Sequence, residues 1–505
     1  MLHNLIRVLT VALVLFITFC SAEAQGQSNS ARWVGTWSTA PQLVETANNP
    51  PAPGLTNNTI RQVVHVSIGG DSLRMRFTNE FSTSAVVMNS VHIAISKGNG
   101  VIDTTTDRVI YFKGMQSDTM APSSAVMSDA FQFSLPPLTD VAITISFGST
   151  SPDVTGHPGS RTTSYILTGD KINTADFSAG AHTDHWYVIN TIEVQSSDSA
   201  SAISILGDSI TDGRGSGTNK QDRWPDELAI RLQSDNSTKR LAILNEGIGG
   251  NCVLAGGLGP YAVSRFQRDV LNQNGVKYLI ILEGINDIGG SQNAATVSQN
   301  LINAFGNFID QAHAQNILVY GATLTPFGGS SYDSPTHQIA GRALNDWIRH
   351  SGRFDGVIDF DSLMHDPANP ARMLPANDSG DHLHPSETGH YMMAQAVNLS
   401  LFGVSSTTGV NGKPGKLTNS FSLLQNYPNP FNPVTTIQYV IPKSEHVTIT
   451  VYDTLGKMVA ELVNEIKNAG EYKVNFNTTH LASGVYLYKI SAGDFTDTKK
   501  MVLMK

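Results

Sequence analysis

Four short stretches of the sequence hold the residue types that acyl transfer needs. Gly207-Asp208-Ser209-Ile210 supplies a hydroxyl, and Asp381-His382-Leu383-His384-Pro385 supplies an imidazole with a carboxylate just before it. Between them, Glu246-Gly247-Ile248-Gly249-Gly250-Asn251 and Gly284-Ile285-Asn286-Asp287 supply glycine backbone and a side-chain amide. A serine hydroxyl is a weak nucleophile until a base takes its proton, and that base needs a partner to fix its tautomer. Only His382 and Leu383 separate Asp381 from His384, so on a tight turn the carboxylate reaches Nδ1 and leaves Nε2 for Ser209. Attack on an ester creates an oxyanion, which needs hydrogen-bond donors already in place. The candidates are the backbone N–H of Ser209, the backbone N–H of Gly250 and the side-chain amide of Asn286, with glycine at 250 letting the main chain approach a substrate closely. Each stretch alone is weak, because a Gly-Asp-Ser triplet is an ordinary turn and an Asn-Asp pair an ordinary helix cap. Asp208 is expected to hold the nucleophile loop by accepting backbone N–H bonds rather than to catalyse.

These stretches need a scaffold that gathers them, and the hydrophobic pattern from Ser201 onwards supplies one. Short apolar runs at Ala202 to Leu206, Leu241 to Asn245, Tyr278 to Glu283, Ile317 to Thr323 and Val357 to Phe360 read as parallel strands. Segments such as Trp224 to Leu232, Gln338 to Arg349 and a final Thr388 to Leu401 read as helices between and after them. This predicts a doubly wound α/β domain over 201–403, with all four stretches beyond the carboxyl ends of strands, where such sheets bind ligands. Before it, residues 31–200 alternate in short runs, clearest at Leu73, Met75 and Phe77, and read as a β-sandwich or jelly roll. After it, 404–416 is small, polar and unpatterned, a linker, and 417–505 returns to strands at Thr435 to Val440, Val447 to Tyr452, Tyr472 to Phe476 and Val485 to Ser491. A small terminal β-sandwich is expected there.

With Ser, Gly, Asn and His blocks in this order, the chain resembles the GDSL/SGNH hydrolase family over about Ile203 to Leu401. The resemblance implies a flavodoxin-like, three-layer domain that hydrolyses esters without metal or other cofactor. It places the nucleophile on Ser209, the oxyanion donors on Gly250 and Asn286 beside the Ser209 N–H, and the Asp-x-x-His pair on Asp381 and His384. Gly250 is preferred over Gly247 and Gly249 because it lies five residues after Asn245, the spacing that the family shows. The ordinary α/β-hydrolase elbow is disfavoured by Thr211, which stands at the second glycine of its G-x-S-x-G pattern. Val34-Gly35-Thr36-Trp37, Arg223-Trp224-Pro225-Asp226 and Thr323-Leu324-Thr325-Pro326-Phe327 are similar to a subgroup in which a β-rich domain precedes the hydrolase. Some multidomain relatives there act on acetylated plant polysaccharides, so deacetylation of glycans stands beside short-chain ester hydrolysis and a lipase-type acylhydrolase activity. Trp37 and Trp224 are candidates to stack on sugars, although burial is the commoner fate of such side chains.

The chain is 505 residues long, with 40% hydrophobic residues and a formal charge of -9, which argues against nucleic acid or an anionic membrane as partner. Residues 1–24, with an apolar block from Val8 to Phe19 and Ala22-Glu23-Ala24 at its end, read as a signal peptide cut before Gln25. A membrane anchor is the alternative, but the block is shorter than the roughly 20 residues that span a bilayer. A lipid anchor on Cys20 is disfavoured by the bulky Phe19. Cleavage leaves Cys252 alone, without an intrachain disulfide. Leu424-Gln425-Asn426-Tyr427-Pro428-Asn429-Pro430-Phe431-Asn432-Pro433, Val451-Tyr452-Asp453 and Ala482-Ser483-Gly484-Val485-Tyr486 resemble the type A sorting domain of the type IX secretion system. That resemblance implies export through the periplasm of a Gram-negative, Bacteroidetes-type cell to the surface or medium. Two other classes remain open: a metallohydrolase using Asp381, His382 and His384 as ligands, and a non-catalytic carbohydrate-binding or adhesion protein.

Overall fold

The computed structural model describes residues 32–196, 199–402, 421–426, 429, 431–467, 470–479, 481–493 and 495–504. The expected signal peptide and linker lie outside the described residues, as do Tyr427, Pro428 and Pro430 of the C-terminal motif. Two compact units divide the chain, one running to Ser405 and one beginning at Ser406.

The first unit opens with two antiparallel sheets. Leu73, Met75 and Phe77 are fully buried along the strand Gly70–Asn79, as their alternation predicts. That strand lies between Ile189–Ser196 and Phe131–Leu135, with Arg32–Ser38 beyond Ile189–Ser196. The second sheet is centred on Asn58–Val66, Thr139–Phe147 and Val86–Gly98. Val64, Ile143 and Val91 from this sheet share one core with the first. Ala202, Ala242 and Leu244 from the α/β region belong to the same core, so the change of texture near residue 200 marks a change of strand type within one body. The contact is close: a Cβ on Gly35 would stand 2.9 Å from a Leu244 methyl, and the Gly35 N–H donates to Asn274 O at 3.0 Å.

The parallel strands are Ser201–Gly207, Leu241–Gly247, Val276–Leu282, Leu318–Ala322 and Gly356–Ile358. In space their order is second, first, third, fourth, fifth. Residues such as Ile203, Ile205, Leu279 and Ile280 are apolar in continuous runs because both faces are covered. Ala262–Phe266, Ala294–Ala314 and Pro335–His350 cover one face, Trp224–Ser234 and Glu387–Ala396 the other. Two elements stop at least two residues before the sequence suggests. The fifth strand ends at Ile358 because Asp359 caps a helix Phe360–Met364 through the Ser362 N–H. The final helix stops at Ala396, where Val397 turns extended, and a 3-10 turn Leu399–Phe402 follows. Trp37 and Trp224 are both buried, Trp37 edge-on to Trp186 at 5.1 Å and Trp224 edge-on to Phe360 at 5.5 Å, so neither ring is presented to a sugar. No helix among the described residues is long and apolar enough to cross a membrane.

The second unit pairs a three-stranded antiparallel sheet around Val434–Ile441 with a four-stranded one around Glu445–Tyr452 and Gly484–Ala492. Its core joins Ile437, Tyr439, Ile449, Tyr488 and Ile490. The strands Met458–Lys467 and Phe495–Leu503 go beyond those legible in the sequence, because outward Glu461, Glu465, Thr496 and Thr498 mask their alternation.

A shared core predicts shared unfolding. Leu244→Ala is expected to cost about 2–5 kcal/mol and to lower a single melting transition of residues 25–405 as a whole, followed by near- and far-UV circular dichroism together. Separate transitions for the β-rich and α/β parts would contradict this.

Candidate active site

Ser209 opens a four-residue helix, Ser209–Asp212, at the end of the first parallel strand. Asp208 caps it, its Oδ1 accepting the Ile210 N–H at 2.9 Å, which is the anchoring role the sequence suggests for it. The helix lies directly on the second strand: a Cβ on Gly247 would stand 2.4 Å from the Asp212 nitrogen, so only glycine admits it. The turn carrying His384 is closed by the Ser379 N–H donating to His384 O at 3.0 Å. Within it, Asp381 Oδ1 accepts the N–H groups of Leu383 at 3.0 Å and His384 at 2.9 Å, while Oδ2 stands 2.7 Å from His384 Nδ1. On the other side of the ring, Nε2 stands 2.9 Å from Ser209 Oγ. The three side chains thus form one chain of hydrogen bonds. His382 turns elsewhere, its Nδ1 2.5 Å from Asp378 Oδ2, so it does not converge with Asp381 and His384 as a shared ligand set would require.

The electrostatics set the protonation states. Burial on its own raises Asp381, but the hydrogen bond from the His384 ring and those from the His384 and Leu383 N–H groups outweigh it and hold the carboxyl well below the usual range. His384 is lowered, chiefly by burial and further by the charges of Arg214 and Arg161, against the raising effect of Asp381. It is therefore neutral around pH 7, as a proton acceptor must be. Cys252 is the contrasting case: burial, with Asp287, Glu283 and Asp208 nearby, pushes its thiol up to about 12, far from a thiolate.

Asn286 follows the third strand on the short helix Ile285–Gly289. Its Nδ2 donates to Asn251 O at 2.8 Å and its Oδ1 accepts from the Tyr332 hydroxyl at 2.9 Å, which fixes the amide orientation and leaves one N–H for a substrate oxygen. Gly250 has φ 71°, and a Cβ there would also crowd Leu258 at 3.1 Å. The loop after it is held by Asp287, whose carboxylate accepts the N–H groups of Val253 at 2.8 Å and Leu254 at 3.0 Å. Gly250, Asn286 and Tyr332 are among the residues lining an open depression of about 560 Å³.

Residues 205–392 match the GDSL-like lipase/acylhydrolase family. This stretch is a GDSL-like lipase/acylhydrolase domain. Residues 425–504 match the secretion system C-terminal sorting domain. Similar solved structures include a GDSL-like lipase from Bacteroides thetaiotaomicron VPI-5482, 18% identical over 40% of this chain and 87% of that one, TM-score 0.30. A catalytic mutant of an acetylxylan esterase from Geobacillus stearothermophilus is 18% identical over 42% of this chain and 99% of its own, TM-score 0.31. A psychrotrophic esterase from Pseudoalteromonas sp. is 16% identical over 39% and 93%, TM-score 0.29. No curated protein matches the chain.

Around the GDSL domain the structure adds residues that sequence reasoning did not single out. His157, from the β-rich region, places Nε2 2.8 Å from Asp212 Oδ1, and both side chains are buried. Tyr332 orients Asn286 from a loop 46 positions away, and Arg265 lies beneath the strand ends. None belongs to a recognisable spacing, since each reaches the site through tertiary packing. The signal for His157 was compositional: a histidine and two glycines close together in Gly156-His157-Pro158-Gly159-Ser160-Arg161 between strand patterns.

The two sides of His384 are separable by pH. Asp381→Ala removes the group that raises the imidazole, so the acidic limb of kcat/KM is expected to move to lower pH while turnover falls. Asn286→Ala is expected to leave that limb in place and cost turnover about a hundred- to thousandfold, with KM little changed. A rise in KM alone for Asn286→Ala would make it a ground-state contact instead.

Proposed function

We propose that the GDSL domain is a secreted serine esterase in which Ser209 forms an acyl-enzyme. The observation that carries this is the hydrogen-bonded path from Asp381 through His384 to Ser209. His384 Nε2 takes the hydroxyl proton as Ser209 Oγ bonds to the ester carbon, and the carbonyl π electrons move onto oxygen. The oxyanion is held by the Ser209 N–H, the Gly250 N–H and the remaining Asn286 N–H. As the intermediate collapses, the alcohol leaves with the proton from His384, and water repeats the cycle to release the acid. Asp381 keeps the ring oriented and offsets its positive charge in both halves.

The reading favours short acyl groups, acetyl above all, on small alcohols or polysaccharides. The depression beside Gly250 and Asn286 sets Ser291, Gln292, Asn293 and Thr296, which can bond a sugar hydroxyl, beside apolar Leu254, Ala255 and Val297. The C-terminal unit is proposed to direct the enzyme through the type IX machinery, which puts it at the cell surface or in the medium.

Ser209→Ala is expected to abolish nearly all hydrolysis of p-nitrophenyl acetate while circular dichroism stays unchanged. More than a trace of remaining turnover would remove Ser209 as nucleophile. Across p-nitrophenyl esters the rate is expected to fall from acetate to octanoate, with the reverse order indicating a lipase-type acylhydrolase. Because nucleophile and base are both side chains of this path, EDTA is expected to leave the rate intact. Loss restored by zinc would shift the reading to a metallohydrolase.

A further inference from the structure

Arg161 and Arg214 both carry positive charge close enough to act on His384, and neither forms an ion pair with a carboxylate among the described residues. Arg161 sits on the loop between Thr155–His157 and Ser164–Thr168, which crosses from the β-rich region onto the nucleophile helix. The crossing is firmly held. His157 bonds Asp212, a Cβ on Gly159 would stand 1.9 Å from an Asp212 oxygen, and Asn219 donates its N–H to Arg161 O at 2.9 Å. Asn219 also exchanges hydrogen bonds with Thr163, at 2.8 Å and 2.9 Å. Arg161 itself is in the left-handed region, φ 52°, and its Nε is buried with no hydrogen-bond partner. Such a backbone and an orphaned guanidinium nitrogen are both costly, and they persist where surrounding structure imposes them.

Arg214 comes from the other direction. Its N–H donates to Ser209 O at 2.8 Å, and its carbonyl accepts from Nε2 of the buried His390 at 3.1 Å, whose Nδ1 is taken by the Trp224 N–H. The next residue, Gly215, lies against the carbonyl of Pro385, which directly follows His384. The Arg214 side chain is exposed. In a chain of formal charge -9, two unpaired cations beside one imidazole are not a by-product of a basic surface. Their charges act on His384 in the direction that disfavours its protonation. The position is also chemically specific. On the proposed mechanism His384 hands its proton to the leaving alcohol, so cations on its side of Ser209 lie nearer the alcohol half of the ester than Gly250 and Asn286, which serve the carbonyl oxygen.

We propose that Arg161 and Arg214 form an anion-binding subsite for the alcohol half, so that the preferred ester carries a carboxylate or phosphate beside its scissile bond. The inference rests on the serine esterase reading and narrows its substrate. Guanidinium groups suit this role because their planar N–H forks match both anions. Acetylated uronic acid residues of acidic glycans and acetylated phosphate-bearing alcohols share that chemistry.

The test compares matched pairs: the O-acetylated methyl glucuronoside with its methyl glucoside, and acetylated glycerol phosphate with acetylated glycerol. The wild-type protein is expected to favour the charged member of at least one pair by about tenfold to hundredfold in kcat/KM, the range of a charge-assisted hydrogen bond. Preference confined to the first pair assigns a carboxylate, and preference confined to the second a phosphate. That ratio is expected to fall with added salt and to collapse in Arg161→Gln and Arg214→Gln, with Arg→Lys restoring part of it. Should Arg161→Gln not fold, Arg214→Gln at its exposed position carries the test. Arg214→Gln is also expected to move the acidic limb on the neutral ester to higher pH, a shift that a purely structural arginine would not cause. Equal rates on both members of both pairs, with p-nitrophenyl acetate still hydrolysed, would overturn the subsite alone. A protein inactive on every ester, p-nitrophenyl acetate included, would overturn the esterase reading and the subsite with it.

Discussion

The guanidinium of Arg265 lies fully buried beneath the carboxyl ends of the parallel strands, and the geometry of the site hangs from it. It donates to Gly207 O at 3.1 Å, the last residue of the strand that delivers Ser209. It donates to Glu246 O at 2.7 Å and to the side chain of Asn251 at 3.0 Å, on either side of the stretch that contains Gly250. Its remaining contacts are Glu283 at 3.3 Å, next to the turn that delivers Asn286, and Asp269 at 3.2 Å. One cation thereby ties together the ends of three strands. A buried charge is stable only when it is paired and hydrogen-bonded, so removing any partner leaves a penalty that acts on all three loops together. The carboxyls around it cannot all be ionised. Burial, with the charge of Asp208, raises Glu283 well above the carboxylate range, and burial with Asp269 pushes Glu246 up to about 8.

The β-rich region completes the same construction from outside. Its contribution is a covering for the second parallel strand, through Val34 and Leu244 in one core, and a clamp on the Ser209 helix, through His157 and Asp212. Ser38 also reaches Glu246 at 2.5 Å, close to the Arg265 cluster. A helix of four residues has no stability of its own, since nucleation fixes several dihedrals for one hydrogen bond. The placement of Ser209 therefore depends on Asp208 at its start, Gly247 beneath it and His157 beside it. This explains why the two regions form one body.

Much of this was legible in the sequence, and the physical reasons for success and failure differ. Parallel strands buried on both faces read as apolar runs, so Ile203, Leu279 and Val319 marked their strands without ambiguity. Gly, Asn, Asp and His stand out against such runs, which made the strand-end stretches visible. Positions whose meaning is tertiary stayed silent. Arg265 lies in a helical segment where an arginine is usually solvated, Tyr332 in a loop, and Arg161 in a short connection between strands. Element ends were also misjudged where a single cap decides them, as at Asp359 and Val397. The edge strand Met458–Lys467 was hidden because only Val463 among its described side chains is buried.

The carboxyls of the site show how burial divides labour among identical chemistry. Asp381 is on an exposed turn, and its side chain retains 44% exposure. Solvent exposure and four donated hydrogen bonds, from the Leu383 and His384 N–H groups, the His384 ring and the Ser379 hydroxyl, keep it ionised, as the proposed partner of a transient imidazolium must be. Asp208 is only 1% exposed, accepts one N–H, and has its second oxygen buried without a partner. Burial, with Asp287 and Asp212 nearby against the hydrogen bond from Ile210, pushes it up to about 7. A proton on that orphaned oxygen relieves the cost of an unpaired buried charge directly under the nucleophile. On the proposed esterase reading, the negative charge that catalysis needs is thus at Asp381, where it acts on His384. On the same reading the raised Asp208 also helps, because a full anion next to Ser209 would oppose the proposed oxyanion.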